Sequence, residues 1–482
     1  MSDFPPSMRH VLLSDPHQVL LDDSLLARQS GLIRRLGKIE IYSGNPVLVA
    51  TEPHEQMGVL MFGTLVFDEG RYRCWYMTHG RGDHFCYAES DDGAVWRKPS
   101  LGLVEWGGSR NNNILFSACE GWSLANLSVA KSVKEENSDR RYRAVLFMYK
   151  KTNHRGPERG HYIVYSPDGI HWTPPEAAPN VNCNECGGLL WDETRTDFVD
   201  LNKTGHAVEM FNREDMRVGH ARCTAVATSD DGHIWSPYRV VLMPNLFFDE
   251  PFDEFYHLHG FRWGGSYIGY LRIYHNTPDC GNAPRQRIDI QLATSRDGET
   301  WQRVCPGENF IQSAEPRQWD FGRIAIGNGP PAVLGDTMRI YYCGQPTDHR
   351  GGDGLGGQGE MGLRKGYTAK VGFAVLRKDG FVSLDADGDG YLLTHPLRTG
   401  EKLHLNVDAT RGICRVELQY PDGRAIPGYS LDECTPLLTN QVDAEVTWKN
   451  GRDMPFKITS AVRLKIVLDK AKLYAFQWMH TR

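Results

Sequence analysis

The sequence predicts an all-β protein, and three observations carry that prediction: a turn motif that recurs, strand-forming runs around each copy, and alternating strands after the last copy. The motif Ser-x-Asp-Gly-x-x-Trp stands at Ser90–Trp96, Ser166–Trp172, Ser229–Trp235 and Ser295–Trp301. A degenerate fifth copy follows at Lys378–Phe381. Such spacing, about 60–80 residues, indicates one supersecondary unit used several times. Because Gly supplies the positive φ of a tight turn, each Asp-Gly predicts a β-hairpin.

Each unit is expected to hold four strands. The second strands read RYRCWYMTHG, RYRAVLFMYK, DFVDLNK, SYIGYLRIYH and TMRIYYCG, and each follows a turn and a shorter apolar run. Five such units around one axis form a five-bladed β-propeller, which is the simplest arrangement that fits; two β-sandwiches with coincidental turns are the alternative. The aromatic residue of each motif is expected to be buried between units, namely Trp96, Trp172, Trp235 and Trp301.

The rest of the chain divides around this repeat. Residues 41–380 are assigned to the propeller, and residues 1–40, which carry helix formers such as SLLARQSGLIRRLGK, to an N-terminal arm. Residues 381–482 show alternating strands broken by Pro-Asp-Gly and Lys-Asn-Gly turns. They predict a C-terminal β-sandwich.

Composition limits the partners of the chain. The net charge is −6 and no basic stripe is present, so nucleic acid is not an expected partner. The chain has no run of about 18 apolar residues and no signal-peptide pattern at its start, so no membrane partner is expected. Eleven Cys, an odd number scattered through strands, suggest reduced thiols and a cytoplasmic protein. No metal and no cofactor are predicted, and a homo-oligomer is left open.

Several segments resemble bacterial proteins related to glycoside hydrolase families 32 and 43. They are SDDGAVWRKPSLGLVEWGGSRNNNIL, the later copies of the motif, and the tail from DGFVSLDADGDGYL to CRVELQYPDGRAIPGYSLDEC. The resemblance covers most of residues 40–480 and implies a five-bladed propeller with a β-sandwich behind it. Family 32 enzymes carry a Glu-Cys pair, which Glu185–Cys186 matches. Their Trp-Met-Asn-Asp-Pro-Asn-Gly and Arg-Asp-Pro motifs are absent, so the resemblance implies architecture and does not point to a fructosidase.

Chemistry on glycosides needs two carboxyl groups, one to protonate the leaving oxygen and one to attack or to activate water. A propeller presents the starts of its inner strands at the mouth of a central funnel, so acids just before these strands are the candidates. The fourth unit offers a dense group of them, namely Asp249, Glu250, Asp253 and Glu254. We predict that Glu254 is the general acid or base of a glycoside hydrolase, with Glu185 or Asp320 as the partner carboxylate.

Residues beside these acids are expected to bind a carbohydrate substrate. The predicted set is Glu55, Asn126, Tyr256, His257, His259, Trp319 and Arg323. Arg323 is expected to hold a neighbouring acid ionised. Strand alternation sends Glu254 and Tyr256 to one side of a regular strand and both histidines to the other, so both groups cannot line the funnel if the strand is regular throughout.

Three other functions fit the same residues. A lyase acting on uronic acids would use Tyr256 and the histidines as base and acid. It would also need cations for the substrate carboxylate, which Arg262, Arg272, Arg317 and Arg323 offer. A phosphorylase would hold phosphate with the same groups. A non-catalytic sugar-binding propeller would need aromatic rings without paired acids, and the acid-rich fourth unit disfavours it.

Overall fold

The structure is a computed structural model. It describes residues 15–79, 83–153, 155–181, 183, 187–211, 216–276, 286–348, 368–449 and 461–479. Within these ranges the chain forms β-strands, one 3₁₀ turn at Ser138–Arg140 and no α-helix. Consequently none of the described segments is a helix long and apolar enough to span a bilayer.

Four short strands precede the repeat: β1 (His17–Val19), β2 (Leu26–Ser30), β3 (Ile33–Leu36) and β4 (Glu40–Ile41). The segment rich in helix formers is therefore extended. Strand formation wins there because each strand finds a partner strand from the distant C-terminal part of the chain, which composition alone does not reveal.

Five antiparallel units follow. Unit 1 holds β5 (Leu60–Asp68), β6 (Arg71–Thr78), β7 (His84–Ser90) and β8 (Ile114–Ser117). Unit 2 holds β9 (Trp122–Lys131), β10 (Tyr142–Lys150) and β11 (Gly160–Ser166). Unit 3 holds β12 (Gly187–Leu189), β13 (Phe198–Phe211), β14 (Met216–Ser229) and β15 (Arg239–Leu242). Unit 4 holds β16 (Asp253–Trp263), β17 (Ser266–His275), β18 (Arg287–Ser295) and β19 (Trp301–Val304).

The fifth unit takes its last strand from the N-terminal end of the propeller sequence. Its inner strand is split into β20 (Arg323–Ile326) and β21 (Ala332–Leu334), which both pair with β22 (Thr337–Gln345). β22 pairs with β23 (Lys370–Arg377), and β4 adds the last strand, with Ile41 opposite Ala374. The N-terminal strand therefore ties the first and last units together.

Each unit contacts the next, and the fifth returns to the first. Thr64 of unit 1 exchanges hydrogen bonds with Val129 of unit 2 and forms a bridge with Asn328 of unit 5. Asn126 of unit 2 donates to the carbonyl of Gly187 in unit 3. The bridges Trp191–Phe261 and Ile288–Arg323 join unit 3 to unit 4 and unit 4 to unit 5. The described strands form a closed β-propeller.

The turn motif has the same hydrogen bonds in all four copies. The Ser hydroxyl accepts from the Gly amide at 2.8–2.9 Å. The Asp carboxylate accepts from the two amides after the Gly at 2.6–2.9 Å. Each Gly has φ between 74° and 83°, which other residues rarely adopt. The three fixed residues therefore recur because each satisfies part of one turn.

The Trp of the motif is fully buried in one unit and partly buried in the other three, so the expectation of four largely buried Trp side chains is met in full by Trp301 alone. Trp301 is 5% exposed, because its ring fills the gap above Gly260 and Gly269, where a Cβ would come within 2.9 Å of it. The other three rings rest against an aromatic side chain and stay half-buried, namely Trp96 on Tyr341, Trp172 on Phe116 and Trp235 on Phe198.

Replacement of Trp301 by Ala should therefore lower the free energy of unfolding by about 3–5 kcal/mol, the usual cost of removing a buried aromatic ring. The same change at half-buried Trp235 should cost clearly less. Urea denaturation of both variants measures the difference. Equal losses would show that the glycine gap around Trp301 contributes nothing special.

The C-terminal residues form a two-sheet β-sandwich. Its strands are β24 (Val382–Asp385), β25 (Asp389–Thr394), β26 (Leu397–Arg398), β27 (Lys402–Asp408), β28 (Ile413–Gln419), β29 (Asn440–Glu445), β30 (Ala461–Asp469) and β31 (Lys472–Met479). One sheet has the order β29-β27-β31-β24-β3 with β1 on β31, and the other has β2-β25-β30-β26 with β28 on β30. Strands β1, β2 and β3 of the predicted N-terminal arm thus belong to this sandwich, whereas Glu40 at its end pairs with unit 5. At the junction, Asp379 of the degenerate fifth motif accepts from Trp263 of unit 4.

Candidate functional site

The candidate site lies at the end of the propeller where the inner strands begin. There β16 opens with Asp253 and Glu254, and Glu254 is 6% exposed. Of the predicted acids, Glu185 lies outside the described residues. It precedes Gly187, the first residue of β12, by two positions. The other predicted site residues are described, and their surroundings differ sharply.

Glu254 is held by two donors from different segments, one in β14 and one directly after β17. Arg222 Nη1 of β14 donates to one carboxylate oxygen at 2.5 Å, and Asn276 Nδ2 donates to the other at 3.1 Å. Burial lowers the pKa of Arg222, but the charge of Glu254 and its hydrogen bond outweigh burial and raise that pKa. A carboxylate held by a guanidinium is stabilised in its ionised form. This geometry therefore suits Glu254 as a proton acceptor or nucleophile.

A β-bulge resolves the predicted conflict between Glu254 and the histidines. The register of β16 against β17 shifts between Phe255 and His257. Glu254 pairs with Tyr274 and His257 pairs with Arg272, two residues apart on the same face of β17. Tyr256 is the extra residue, and bulges of this kind re-aim side chains. Glu254 and both histidines consequently lie on one face of the sheet.

The two histidines lie on this face of the sheet and are buried in the interior of the propeller. His259 Nε2 lies 2.9 Å from His257 Nδ1, and burial together with the cation of Arg272 lowers the pKa of both imidazoles well below the usual range. His257 Nε2 has no hydrogen-bond partner among the described residues. The pair is neutral at neutral pH. Because both histidines are buried in the interior of the propeller, their role is structural.

A cation–aromatic cluster surrounds Glu254, formed by Lys203, Arg222, Tyr256 and Tyr274. The two tyrosine rings lie 5.6 Å apart. Lys203 Nζ is 4.4 Å from the centre of the Tyr256 ring, and the Arg222 guanidinium is 5.0 Å from that of Tyr274. Tyr256 is 4% exposed, so its ring packs against cations and offers little face to a sugar.

Asn126 belongs to a buried polar group between units 2 and 3. Its amide donates to the Gly187 carbonyl. Beside it, His161 Nδ1 lies 2.8 Å from Asp200, which also accepts from Tyr238 Oη at 2.6 Å. Burial disfavours the imidazolium, but Asp200 and Cys183 outweigh it and raise the pKa of His161 to about 10. Asn126 and this ion pair thus lie against Gly187, the first residue of β12.

The His161–Asp200 pair should make stability depend on pH. Because the pKa of His161 is about 10 when folded, against an ordinary value of 6.5, its stabilisation is fully present below pH 6.5 and is lost as pH rises towards 10. Asp200→Asn should cost about 3–5 kcal/mol at pH 6, since it leaves a buried charge unpaired, and less at pH 10.

Denaturant melts of wild type and Asp200→Asn across this pH range check the prediction. Asp443→Asn is the control, because Asp443 makes the same kind of contact with His404 in the sandwich but is 62% exposed. A stability difference between wild type and Asp200→Asn that stays constant from pH 6 to pH 10 would contradict the assignment.

Asp320 lies in a separate group on unit 5. Its carboxylate is 7% exposed and accepts from Tyr342 Oη at 2.9 Å, and the Trp319 ring stacks on Tyr342 at 5.4 Å. Burial raises the pKa of Asp320. The expectation that Arg323 holds this acid ionised is therefore not met. A raised pKa is the direction that a general acid needs.

The strand register relates this group to Glu254. Glu254 pairs with Tyr274, Tyr274 pairs with Ile288, and Ile288 is bridged to Arg323. Glu254 is the second residue of β16, and Asp320 lies three residues before Arg323, the first residue of β20. The two acids thus lie near the starts of the inner strands of neighbouring units.

Glu55 is fully engaged within unit 1. Its carboxylate accepts from the amides of Thr51 and Glu52 at 2.8 and 2.9 Å, from Lys98 Nζ at 2.6 Å and from the hydroxyl of Tyr76. Three of these donors share Oε2 and the Tyr76 hydroxyl engages Oε1, so both carboxylate oxygens are occupied. The structure therefore gives Glu55 a role in holding the start of the propeller together.

Sequence reasoning missed Arg222 and Lys203, which contact the cluster from the long hairpin of β13 and β14. Both residues stand in ordinary strand sequence, and only tertiary structure places them beside Glu254. A hairpin whose strands are both much longer than those of the other units was the one available signal. No group of three His, Cys, Asp or Glu residues in the described ranges is arranged to hold a metal ion.

Comparison with known proteins gives structural likeness only. No family model and no curated protein matches the chain. An N-acetylgalactosamine deacetylase from F. plautii, in complex with blood group B trisaccharide, is 15% identical, with 73% of this chain and 97% of that chain covered and a TM-score of 0.46. A glycosyl hydrolase from Bacteroides ovatus is 13% identical, with 71% and 94% covered and a TM-score of 0.44.

A fructofuranosidase from Schwanniomyces occidentalis, complexed with fructosylnystose, is 9% identical, with 93% of this chain and 100% of that chain covered and a TM-score of 0.42. Glycoside hydrolases are thus among the solved structures that the chain resembles, as the sequence predicts. The reaction is argued below from the residues of this chain.

Proposed function

We propose that the chain is a carbohydrate-active enzyme that hydrolyses a glycosidic bond, with Glu254 as the ionised carboxylate of the site. The observation that carries the proposal is the setting of Glu254. It opens an inner strand at the mouth of the propeller, and Arg222 and Asn276 engage both of its oxygens. Buried carboxylates cost free energy unless they are paired, so a fixed charge at this position has to serve either folding or chemistry.

Glu254 then acts as the base that takes a proton from water, or as the nucleophile. Hydrolysis also needs a proton donor on the leaving oxygen. Asp320 has the raised pKa of such a donor, and Glu185 has the right place in the chain order, ahead of β12. Asp320 precedes the inner strand of unit 5 and Glu185 precedes that of unit 3, so both acids stay candidate partners.

A second candidate function is favoured by the cations of the cluster. Lys203 and Arg222 contact the tyrosine rings beside Glu254, and Arg272 lies on the same face of β17 as Tyr274. Cations in this number suit a substrate with a carboxylate or phosphate group. A lyase acting on a uronic acid, or a phosphorylase, would therefore use the same site.

Glu254→Gln should lower turnover of a cleaved glycoside by about 10²–10⁴-fold, because the amide keeps the shape but neither accepts the proton nor attacks. Substrates come from a panel of aryl glycosides and oligosaccharides assayed with the wild-type protein. Release of the aryl alcohol, followed by absorbance, measures the rate.

Glu250→Gln is the matched control, because Glu250 is an exposed acid four residues earlier in the same segment. It should turn over the same substrate at the wild-type rate. Wild-type turnover by Glu254→Gln would refute the assignment, provided that both variants melt at the wild-type temperature.

A further inference from the structure

A histidine and an aspartate meet at the mouth of the propeller where units 1 and 2 adjoin. His79 Nδ1 lies 2.7 Å from Asp83 Oδ1. His79 directly follows the last residue of β6, and β6 ends beside the start of β5, since Met77 pairs with Leu60. Inner strands begin at one end of a propeller, so this pair lies at the same end as Glu254.

The Asp83 carboxylate is fixed from the neighbouring unit. Its second oxygen accepts from Ser123 Oγ at 2.6 Å and from the Leu124 amide at 3.2 Å, both at the start of β9. Burial raises the pKa of Asp83, but the hydrogen bonds from His79 and Ser123 outweigh it and lower that pKa to about 2. Asp83 is therefore a rigid, ionised carboxylate at neutral pH.

This carboxylate orients the imidazole of His79. With Nδ1 bound to Asp83, Nε2 is the nitrogen left to meet a substrate, and a carboxylate at Nδ1 stabilises the imidazolium that forms when Nε2 takes up a proton. The His79 carbonyl accepts from the Met57 amide at 3.2 Å, which fixes the backbone. The His79 side chain is 26% exposed and Asp83 13%, so the histidine is the more accessible partner.

A second His–Asp contact, on an exposed turn, serves as a comparison for the pair of His79 and Asp83. His171 Nδ1 lies 2.7 Å from Asp168 on an outer turn, where the two side chains are 65% and 46% exposed. That pair belongs to one turn motif, whereas Asp83 is held by the start of the next inner strand. Among the described residues, Asp83 is the titratable group that a hydrogen bond or ion pair joins to His79.

We propose that His79 is the proton donor of the site, with Asp83 as its positioning residue. The inference rests on the proposed function, in which Glu254 is ionised and a second group has to protonate the leaving oxygen. The His79 imidazolium gives its Nε2 proton to the glycosidic oxygen as the bond from that oxygen to the anomeric carbon breaks. A water oxygen bonds to the anomeric carbon, and Glu254 takes the water proton.

After product release, Glu254 loses that proton to solvent and His79 takes one up, so the net reaction adds one water. His79 would thus take the role that the proposed function leaves open between Asp320 and Glu185. Removal of the His79 imidazole should therefore slow cleavage most for leaving groups that need a proton.

The test compares two glycosides of one sugar, a methyl glycoside and a 2,4-dinitrophenyl glycoside. Dinitrophenolate leaves without being protonated, whereas methanol does not. His79→Gln should therefore lose about 10²–10⁴-fold in turnover of the methyl glycoside and keep that of the dinitrophenyl glycoside within a few fold. It should also lose the alkaline limb of the pH profile of kcat/KM. His171→Gln is the matched control and should behave as wild type on both.

Two results would overturn the inference: wild-type turnover of the methyl glycoside by His79→Gln, or equal loss on both substrates in a variant with the wild-type melting temperature. If Glu254→Gln is inactive alongside either result, the proposed hydrolytic function still stands. If Glu254→Gln is active, both the proposed function and the role of His79 are refuted. If His79→Gln fails to fold, Asp83→Asn replaces it. That variant should lose methyl-glycoside turnover and move the alkaline limb to lower pH, and an unchanged profile would overturn the inference.

Discussion

The hydrogen bonds of Asn328 at the propeller axis are the interaction on which the arrangement of the units depends. Its amide nitrogen donates to Ser128 Oγ at 2.9 Å, and to the carbonyls of Val129 and Leu189 at 3.3 and 2.6 Å. Its backbone amide donates to the Gly63 carbonyl. One residue 1% exposed thus joins unit 5 to units 1, 2 and 3. A buried amide with these partners removed would be left unsatisfied, which costs far more than the bonds contribute net.

With the inner strands fixed at the axis, their starts form one mouth, and local irregularities decide which side chains reach it. The bulge at Tyr256 turns His257 and His259 to the face that carries Glu254. The long hairpin of unit 3 brings Arg222 to Glu254. The regular propeller thus positions the strands, while departures from regularity place the side chains of the candidate site.

The sequence was most informative where structure is local. The turn motif predicted the units because its Ser, Asp and Gly satisfy one turn among themselves. Contacts between distant segments were not predictable in the same way. Asn328 stands in an unremarked Gly-Asn-Gly, the helix formers before residue 40 pair as strands with the C-terminal sandwich, and Arg222 meets Glu254 only through tertiary structure. Glu254 became a candidate because acids before inner strands could be searched for directly.

The central claim is that this mouth hydrolyses a glycosidic bond. Proton NMR of the wild-type protein with an oligosaccharide panel, with and without phosphate, tests it most directly, because the products of the three reactions differ. The account predicts free reducing sugar, formed at the same rate in both buffers. Formation of a sugar 1-phosphate that requires phosphate, of an unsaturated uronic acid, or of no product from any member of the panel would contradict it.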